Sequence, residues 1–285
     1  MKCFRVILLA LACALIPAIL RAQSANPQPP PDPQATPDQT DPDLRVDALQ
    51  PDFNLVALPT NLRMPVHKLS FRVTHRFSRP LGQGDFGDLV SDFFGFDSGA
   101  QIGLELRYGL ASGTQIGVHR TSDRTTQIFG QHTLMNERTG APISVDAIAT
   151  LEGGNNLHRR YESALGAVVS RRVARRAALY AEPMIVVNSN PAADAGADNN
   201  SLLVGLGGRF RVRPAMYLVA EMTPRVGWFD PGKPQVSFGL EGRAGGHLFQ
   251  VNISNGFGTT LGQLANGGFN YDNWYIGFNI ARKFF

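Results

Sequence analysis

The chain has 285 residues, of which 43% are hydrophobic and 18% are charged, with 30 Gly and 18 Phe. An average globular chain is about 25% charged, and the plentiful Phe, Leu and Val exclude a chain that is disordered throughout. Residues 1–22 hold three of the 27 basic residues and no acid, which leaves 24 basic against 23 acidic residues. Because such a chain is nearly neutral, we expect no nucleic-acid partner.

Residues 1–22 have the layout of a cleaved secretory signal peptide. A short basic stretch precedes an apolar run at residues 6–20, and Leu20-Arg21-Ala22 offers a small-residue cleavage site. A membrane anchor and a lipoprotein signal at Cys13 are the alternatives. The run is short for an anchor, and Cys13 lies inside it rather than at its end. Since Cys3 and Cys13 both fall here, the cleaved chain would carry no disulfide, thiolate nucleophile or zinc–thiolate site.

Residues 23–64 are predicted to be a Pro-rich periplasmic linker. The first part, residues 23–51, is dense in Pro, Gln, Asp and Thr. Such a composition buries too little apolar surface to offset the entropy cost of ordering. We therefore expect an extended or disordered tether that leads into a barrel domain at residues 65–285.

Apolar and polar residues alternate along the rest of the chain. In residues 69–74 every second side chain is apolar, which is the period of a strand with two different faces. The alternation recurs at residues 100–109, 201–212, 216–226, 235–243, 247–254 and 272–281. Less regular strand-prone segments lie at residues 114–121, 124–134, 143–152, 160–172 and 177–188. The sequence thus predicts an all-β chain of about twelve strands, each about as long as a tilted strand that crosses a bilayer.

The connections between these strands alternate in length. Short turns lie at residues 110–113, 138–142, 173–176, 213–215 and 244–246, and longer loops at 80–98, 153–159, 189–200, 227–234 and 255–271. The tight turn at residues 122–123 is the exception. Basic residues concentrate in the short turns (Arg138, Arg171, Arg172, Arg175, Arg176, Arg213) and acidic ones in the first loop (Asp85, Asp88, Asp92, Asp97). This division predicts a single antiparallel up-and-down transmembrane β-barrel with both chain ends at the short-turn rim.

The two faces of the predicted strands differ in chemistry. One face is apolar, as at Phe71, Leu206 and Phe278, and would contact lipid, while the other would line the lumen. The alternative is a soluble periplasmic ligand-binding barrel, in which the apolar face would point inward and the polar face would meet water. The signal peptide, the loop lengths and an aromatic end favour the membrane. The predicted lumen-lining charged residues are Arg72, Arg76, Glu105, Arg107, Glu182, Arg209, Arg211, Glu221, Arg225, Glu241 and Arg243.

Aromatic residues mark the last strand and the membrane interface. Trp274, Ile276, Phe278 and Ile280 alternate outward before the final Phe284-Phe285, with a change of parity at Arg282-Lys283 that suggests a bulge. A terminal aromatic residue after such a strand is typical of proteins that the outer-membrane insertion machinery recognises, so we expect that machinery as a partner. The predicted interface aromatics are Phe93, Phe94, Phe96, Trp228, Trp274 and Phe285.

The first long loop has a pattern of its own. Its apolar residues Phe86, Leu89, Val90, Phe93, Phe94 and Phe96 have the spacing of a short amphipathic helix. Such a helix would either anchor the loop at the membrane interface or act as a gating lid over the barrel mouth. We favour the anchor, because aromatic side chains are enriched at membrane interfaces.

Several stretches resemble one family. They are residues 58–63 (LPTNLR) leading into 70–77 (SFRVTHRF), 94–99 (FGFDSG), 118–124 (VHRTSDR) and 278–284 (FNIARKF). Over about residues 55–285 the chain resembles an uncharacterised family of membrane-bound β-barrel domains from Gram-negative bacteria. The resemblance implies a barrel in the outer membrane. It implies no activity and no catalytic residue, because that family is of unknown function.

Charges predicted in the lumen suggest what it does. Inward Glu and Arg are near-equal in number and often two residues apart, as in Glu105/Arg107 and Glu241/Arg243. Because unpaired charge in a low-dielectric lumen is costly, cross-strand pairing is expected. Pairs along the wall would be structural, whereas charges that meet across the lumen would form a constriction for small hydrophilic solutes. The predicted function is a narrow passive pore or a structural scaffold, with outer-membrane lipids around it.

An outer-membrane lipid-modifying hydrolase is the alternative from another class. Residues 252–256 (NISNG) resemble the Ser-Asn-Gly stretch of twelve-stranded outer-membrane phospholipases. Those enzymes need a His two residues before the Ser as general base. This chain has Asn252 there, and His247 is seven residues from Ser254. Since the other histidines show no metal-ligand spacing either, we expect no enzyme activity, no cofactor and no metal.

Overall fold

The computed structural model describes residues 47–192 and 197–285. The strands are β1 Leu69–Phe77, β2 Ala100–Ala111, β3 Thr114–Thr121, β4 Thr126–Met135, β5 Ser144–Gly153, β6 Arg159–Val173, β7 Ala177–Val187, β8 Ser201–Arg213, β9 Met216–Thr223, β10 Arg225–Trp228, β11 Gln235–Ala244, β12 His247–Ser254 and β13 Tyr275–Phe284. The helices are α1 Phe86–Ser91, α2 Gly154–Leu157 and α3 Leu261–Ala265, with 3-10 turns at Phe93–Gly95 and Glu137–Thr139. In these two ranges, no helix has the length and apolar character to cross a membrane. The predicted signal peptide and residues 23–46 of the predicted linker lie outside the described residues.

The strands form one closed antiparallel barrel. Successive strands pair in chain order, and β1 closes the barrel by pairing with β13 from Leu69↔Phe284 to Arg76↔Gly277. β10 continues β9 beyond Pro224, whose nitrogen has no hydrogen to donate to the ladder, and it pairs with β8. Counting β9 and β10 as one crossing, the predicted twelve-stranded barrel is confirmed.

Side chains alternate between the outside and the inside of this barrel. The outward Phe71, Leu104 and Leu206 are apolar and yet 37–46% exposed, whereas the inward Arg72 and Glu105 are at most 5% exposed. A barrel that folds in water would bury the apolar set and expose the charged one. The observed arrangement is that of a transmembrane barrel, whose apolar face contacts lipid.

The two rims carry different connections, as predicted. Leu69 and Phe284 lie at the rim with the turns at residues 112–113, 174–176, 214–215 and 245–246, which we call the short-turn rim. The loops at residues 78–99, 188–200 and 255–274 leave the opposite, long-loop rim. The register of β13 runs unbroken from Tyr275 to Phe284. The prediction of a bulge at Arg282-Lys283 is therefore wrong.

The segment before β1 does not form the expected tether. Residues 47–65 enter the barrel from the short-turn rim as a hairpin, which we call the plug hairpin, and residues 49–62 are buried throughout. At its tip the Leu55 nitrogen donates to the Leu58 oxygen at 2.7 Å, and Asn54 pairs with Pro59. The predicted linker thus needs correction over residues 47–64. The Pro-rich composition ends before Phe53, and the apolar residues that follow fill the lumen.

The last long connection also departs from expectation. Residues 255–274, which we call the inward loop, fold into the barrel instead of projecting from the long-loop rim. Their helix α3 begins after Thr260, whose hydroxyl accepts a hydrogen bond from the Gln263 nitrogen. Leu261, Leu264 and Ala265 of α3 share one buried cluster with Leu55–Leu58 of the plug hairpin. The barrel is therefore filled from both rims.

The first long loop folds against the outside of the barrel. The Phe96 ring packs on Phe77 with 4.5 Å between centroids, and Phe93 packs on Phe96 at 5.5 Å. Phe77 belongs to the outward face of β1, next to His75 and Phe278. This position favours the interfacial anchor over a lid across the barrel mouth.

Candidate functional site

The filled interior is the candidate site, and its two sides differ. Inward residues of β11–β13 and β1–β4 form a polar wall, which includes Arg72, Arg76, Glu105, Arg107, Gln115, Gln131, Glu241, Gln250, Asn252 and Asn279. Inward residues of β5–β9 form an apolar wall, which includes Ile148, Ala164, Val168, Ala178, Tyr180, Met184, Val186, Leu203, Tyr217 and Val219. The apolar wall also has buried charged residues, which are Asp146, Glu152, Glu162, Glu182, Arg209 and Glu221. The plug hairpin lies between the two walls.

One carboxylate binds the backbone of the hairpin tip. Glu221 of β9 accepts hydrogen bonds from the backbone nitrogens of Val56, Ala57 and Leu58 at 2.9–3.0 Å. The Glu221 side chain is buried, and the three amide donors replace the water that an ionised carboxylate would lose there. Glu221, predicted as a lumen-lining charge, is thus the main anchor of the plug hairpin.

Other inward side chains bind the carbonyl groups of the same tip. Arg72 and Asn279 donate hydrogen bonds to the Val56 oxygen, at 2.5 and 3.0 Å. Gln250 donates to the Leu55 oxygen at 3.0 Å, and Arg209 donates to the Asn54 oxygen at 2.7 Å. Farther along the hairpin, Gln131 donates to the Thr60 oxygen at 2.8 Å. The hairpin is therefore held mainly through its main chain, by side chains from strands all around the barrel.

Two buried ion pairs lie along the barrel wall. The Arg209 Nε is 2.6 Å from the Glu241 Oε2, with both side chains fully buried and β9 between their strands. The Arg107 Nη2 is 3.0 Å from the Glu105 Oε1 on the same strand, and its guanidinium lies 5.0 Å from the centre of the Phe53 ring. Since neither pair spans an open lumen, both fit the structural interpretation of the charges.

Two inward glycines of β8 form the pockets that receive the hairpin side chains. A Cβ atom on Gly205 would lie 2.8 Å from the Leu58 Cδ2, and one on Gly207 would lie 2.3 Å from the Leu55 Cδ1. Atoms do not approach so closely without displacement. The hairpin can therefore seat only because these two positions have no side chain.

The base of the hairpin contacts the final residues of the chain. Phe53, Leu62 and Met64 form a buried cluster against which Phe285 packs, and the Lys283 Nζ lies 3.2 Å from the Asp52 Oδ1. Phe285 therefore does not lie at the membrane interface as predicted. In the alternation of β13, Phe285 follows the inward residues Asn279, Ala281 and Lys283. Its ring therefore lies on the inner side, where the hairpin supplies an apolar partner.

The inward loop is bound by a second carboxylate. Glu152 of β5 accepts hydrogen bonds from the Gly262 nitrogen at 3.0 Å, the Thr260 hydroxyl at 3.1 Å and the Gln127 amide at 2.8 Å. The neighbouring Glu162 pairs with Arg160 at 2.9 Å. Hydrogen bonds thus fix the start of α3, while its apolar residues pack on the apolar wall.

The turn at residues 122–125 also holds the inward loop. The Gln263 amide donates to the Asp123 Oδ2 at 3.0 Å. Partial burial raises the pKa of Asp123, but hydrogen bonds from the Thr121 hydroxyl and the Thr125 amide outweigh it and lower the pKa below its usual value. Asp123 therefore stays ionised and keeps accepting from Gln263 down to acidic pH.

The remaining predicted lumen residues lie at different depths. Arg76 is fully buried and donates to the Asn279 Oδ1 at 2.8 Å, while Arg225 pairs with Asp230 at 2.9 Å at the long-loop rim. Arg211 and Arg243 are half-buried near the short-turn rim. Glu182 is fully buried, and within the described part of the chain neither of its oxygens has a hydrogen-bond partner.

The predicted interface aromatics, apart from Phe285, lie at the long-loop rim. Phe93, Phe96 and Trp228 are 45–63% exposed, and Phe94 and Trp274 are half-buried. Trp274 packs near Phe238 with 6.0 Å between ring centroids. Exposed aromatic rings at one rim are typical of the girdles of transmembrane barrels.

The Ser254 region lacks the arrangement of a hydrolase. The fully buried Ser254 hydroxyl lies 3.0 Å from the Ser237 hydroxyl and accepts from the Gly256 nitrogen at 3.2 Å. His247 begins the same strand at the opposite rim and contacts Arg282. In residues 47–192 and 197–285, no group of three or more His, Cys, Asp or Glu residues is placed to hold a metal ion.

Residues 52–284 match the family described as membrane bound beta barrel domain (DUF5777). The match includes most of the plug hairpin as well as the barrel. Among solved structures, the chain is similar to the COG4313 outer membrane channel from Pseudomonas putida F1, at 12% identity and TM-score 0.50 over 78% of this chain and 97% of that one. It is also similar to the NanC porin, at 8% identity and TM-score 0.50 over 76% and 99% of the two chains. These likenesses concern the fold. A search of curated proteins finds no match.

Proposed function

Because the chain belongs to the family of membrane-bound β-barrel domains, we propose that it is an outer-membrane channel that its plug hairpin keeps closed at rest. Solved structures that share its barrel fold include an outer membrane channel and a porin. In this proposal a Gram-negative cell secretes the chain through a cleaved signal peptide, and the insertion machinery recognises β13. The open barrel passes small hydrophilic solutes without catalysis.

The width of the barrel supports this proposal. A barrel of about eight strands is filled by its own side chains, and one of about sixteen leaves an aqueous channel. Twelve strands enclose an intermediate space, which the plug hairpin and the inward loop fill here. Removal of the hairpin would leave a space lined on one side by the charged and amide groups of the polar wall.

The observation that carries the proposal is how the hairpin is bound. At its tip the polar contacts run from wall side chains to its main chain, and water can take the place of each one. Hairpin side chains add polar contacts only nearer its ends, as in the Asp47–Arg172 and Asp52–Lys283 ion pairs and the hydrogen bond from the Asn61 amide to the Val168 oxygen. The hairpin pairs with no barrel strand, so its departure breaks no part of the barrel ladder. Arg72 and Arg76 also keep buried nitrogens without a partner among the described residues. A permanently sealed scaffold would be more stable with apolar residues there.

A reversible crosslink tests the proposal. The Leu58→Cys/Gly205→Cys variant places a thiol on the hairpin next to one on the barrel wall, within reach of a disulfide. In planar bilayers we expect the oxidised variant to stay closed and the reduced variant to show the openings of the unmodified protein. The single variant Leu58→Cys is the control and should not respond to oxidant.

A second variant opens the channel instead. Gly207→Leu fills the pocket of Leu55 and should displace the hairpin, which raises the open fraction at least about tenfold for every 1.4 kcal/mol of hairpin binding lost. Gly242→Leu is the matched control, because a Cβ there meets no atom within 4 Å. If Gly207→Leu folds as a barrel and remains as silent as the unmodified protein at all voltages, the chain is a sealed scaffold and the proposal is wrong.

A further inference from the structure

A cluster of exposed arginines occupies one sector of the short-turn rim. The cluster, which we call the rim arginines, consists of Arg138, Arg171, Arg175, Arg176 and Arg213. They lie at three consecutive turns of this rim, β4–β5, β6–β7 and β8–β9. The turns are in contact, because the Arg211 nitrogen donates to the Arg176 oxygen at 2.6 Å and the Arg172 nitrogen donates to the Glu137 carboxylate at 3.1 Å. The rim arginines thus form one continuous patch.

Within the described part of the chain, no carboxylate forms an ion pair with a rim arginine. Asp47 pairs with Arg172 and Asp52 with Lys283, while Glu137 binds the Arg172 backbone nitrogen, which is a neutral group. Glu137 is thus one carboxylate beside five guanidinium groups, and the patch is positive overall. Among the described residues, no rim-arginine guanidinium has a hydrogen bond or an ion pair. At the long-loop rim Arg79, Arg160 and Arg225 each pair with a carboxylate. The exposed Arg120, Arg124 and Arg159 of that rim have no carboxylate partner among the described residues, and they therefore serve as the matched control below.

The rim arginines border the lipid-facing surface. Arg171 is directly opposite Leu179 in the ladder between β6 and β7. The outward apolar residues next to the patch are 41–53% exposed and include Val173, Leu179, Phe210 and Val212. An apolar surface bordered by guanidinium groups complements a molecule with acyl chains and an anionic phosphate, since Arg binds phosphate oxygens with two parallel hydrogen bonds.

We propose that the rim arginines bind the headgroups of anionic phospholipids in the leaflet at the short-turn rim. An acidic soluble protein would match the charge, but lipid already surrounds the adjoining apolar residues and brings its headgroups to the height of the rim arginines. Bound headgroups would fix the height and tilt of this sector in the bilayer. This inference does not depend on whether the barrel conducts.

Lipid selection in nanodiscs tests the inference. The mature protein is reconstituted in equimolar phosphatidylcholine and phosphatidylglycerol, and native mass spectrometry measures the ratio of the two lipids that stay bound. We expect phosphatidylglycerol to be enriched at least about fivefold, because one Arg near an anionic surface contributes roughly that factor. High salt should reduce the enrichment, because the patch is exposed to solvent.

Two triple variants locate the site. Arg171→Gln/Arg175→Gln/Arg176→Gln should lose the enrichment, while Arg120→Gln/Arg124→Gln/Arg159→Gln, which removes exposed charge at the opposite rim, should keep it. Heat-modifiable migration in gels confirms that each variant has folded. Equal uptake of both lipids by the unmodified protein would overturn the inference, and so would an equal loss of phosphatidylglycerol enrichment in the two triple variants. So would binding of an acidic peptide to the rim arginines without any lipid enrichment.

Discussion

The plug hairpin and the inward loop both fill the barrel, but they are held in different ways. The inward loop is tied to strands at both of its ends, β12 and β13, and buries Leu261 and Leu264 against the apolar wall. The hairpin also buries Leu55 and Leu58 in the same buried cluster, and each segment has backbone nitrogens bound to one carboxylate, Glu221 or Glu152. The hairpin, however, is tied to a strand only where it leads into β1. This difference is why we propose the hairpin, rather than the inward loop, as the removable part of the filled barrel.

Breaking the Arg209–Glu241 pair is expected to have the largest effect, because it affects both the barrel wall and the hairpin. Arg209→Ala leaves Glu241 buried without a cation and removes the donor to the Asn54 oxygen. We expect a loss of about 3–5 kcal/mol in the free energy of unfolding, measured by urea titration in lipid vesicles. The double variant Arg209→Met/Glu241→Met should recover most of it. If the double variant is no more stable than Arg209→Ala, the buried charge is not the cause.

Shortening a buried side chain of the inward loop should lower the free energy of unfolding and leave channel opening unchanged. Leu264 is fully buried, so Leu264→Ala should cost about 2–5 kcal/mol in the same titration, through lost burial and a cavity. Phe269→Ala, at a 47% exposed position of the same loop, is the control and should cost far less. A rise in channel opening for Leu264→Ala as large as that for Gly207→Leu would mean that both segments gate the barrel.

Replacing the Glu221 carboxylate, which binds the hairpin tip, should have the smallest of these effects and should act on the hairpin alone. Glu221→Gln keeps one acceptor oxygen for three backbone donors, so hairpin binding should weaken by about 1–3 kcal/mol. Limited proteolysis within residues 47–52 should speed up accordingly, while the urea midpoint of the barrel stays the same. Glu137→Gln at the short-turn rim is the control. A matching drop in the barrel midpoint would contradict the separation of the hairpin from the wall.

The barrel itself could be predicted because alternation is a local property of the sequence. The segments predicted at residues 114–121 and 247–254 coincide with β3 and β12, and Arg209, Glu221 and Glu241 do point inward. Alternation cannot show what those side chains contact. That depends on contacts between distant segments, such as the hydrogen bond between Asn279 and Val56, which are 223 residues apart.

The filling of the barrel left signals that are harder to recognise. β6 and β7 alternate poorly because Ala164, Val168, Met184 and Val186 face inward and are apolar. A strand that is apolar on both faces is the mark of an interior core rather than of an open lumen. The apolar run at residues 55–58 follows directly on the Pro-rich segment, so composition assigns its residues to the linker and not to the core. The inward loop was hidden because its length alone resembles that of a projecting loop.

The placement of the hairpin before β1 has a consequence for assembly. The barrel closes at the seam between β1 and β13, and the segment that fills it is joined directly to the first strand of that seam. Phe285, beyond the last strand, packs on the same segment. The interior can therefore be completed only after the whole chain is present, and pairing over such long sequence separations is slow. An assembling barrel would hold its apolar interior open to solvent until that final step, which is the stage at which a chaperone would have most to protect.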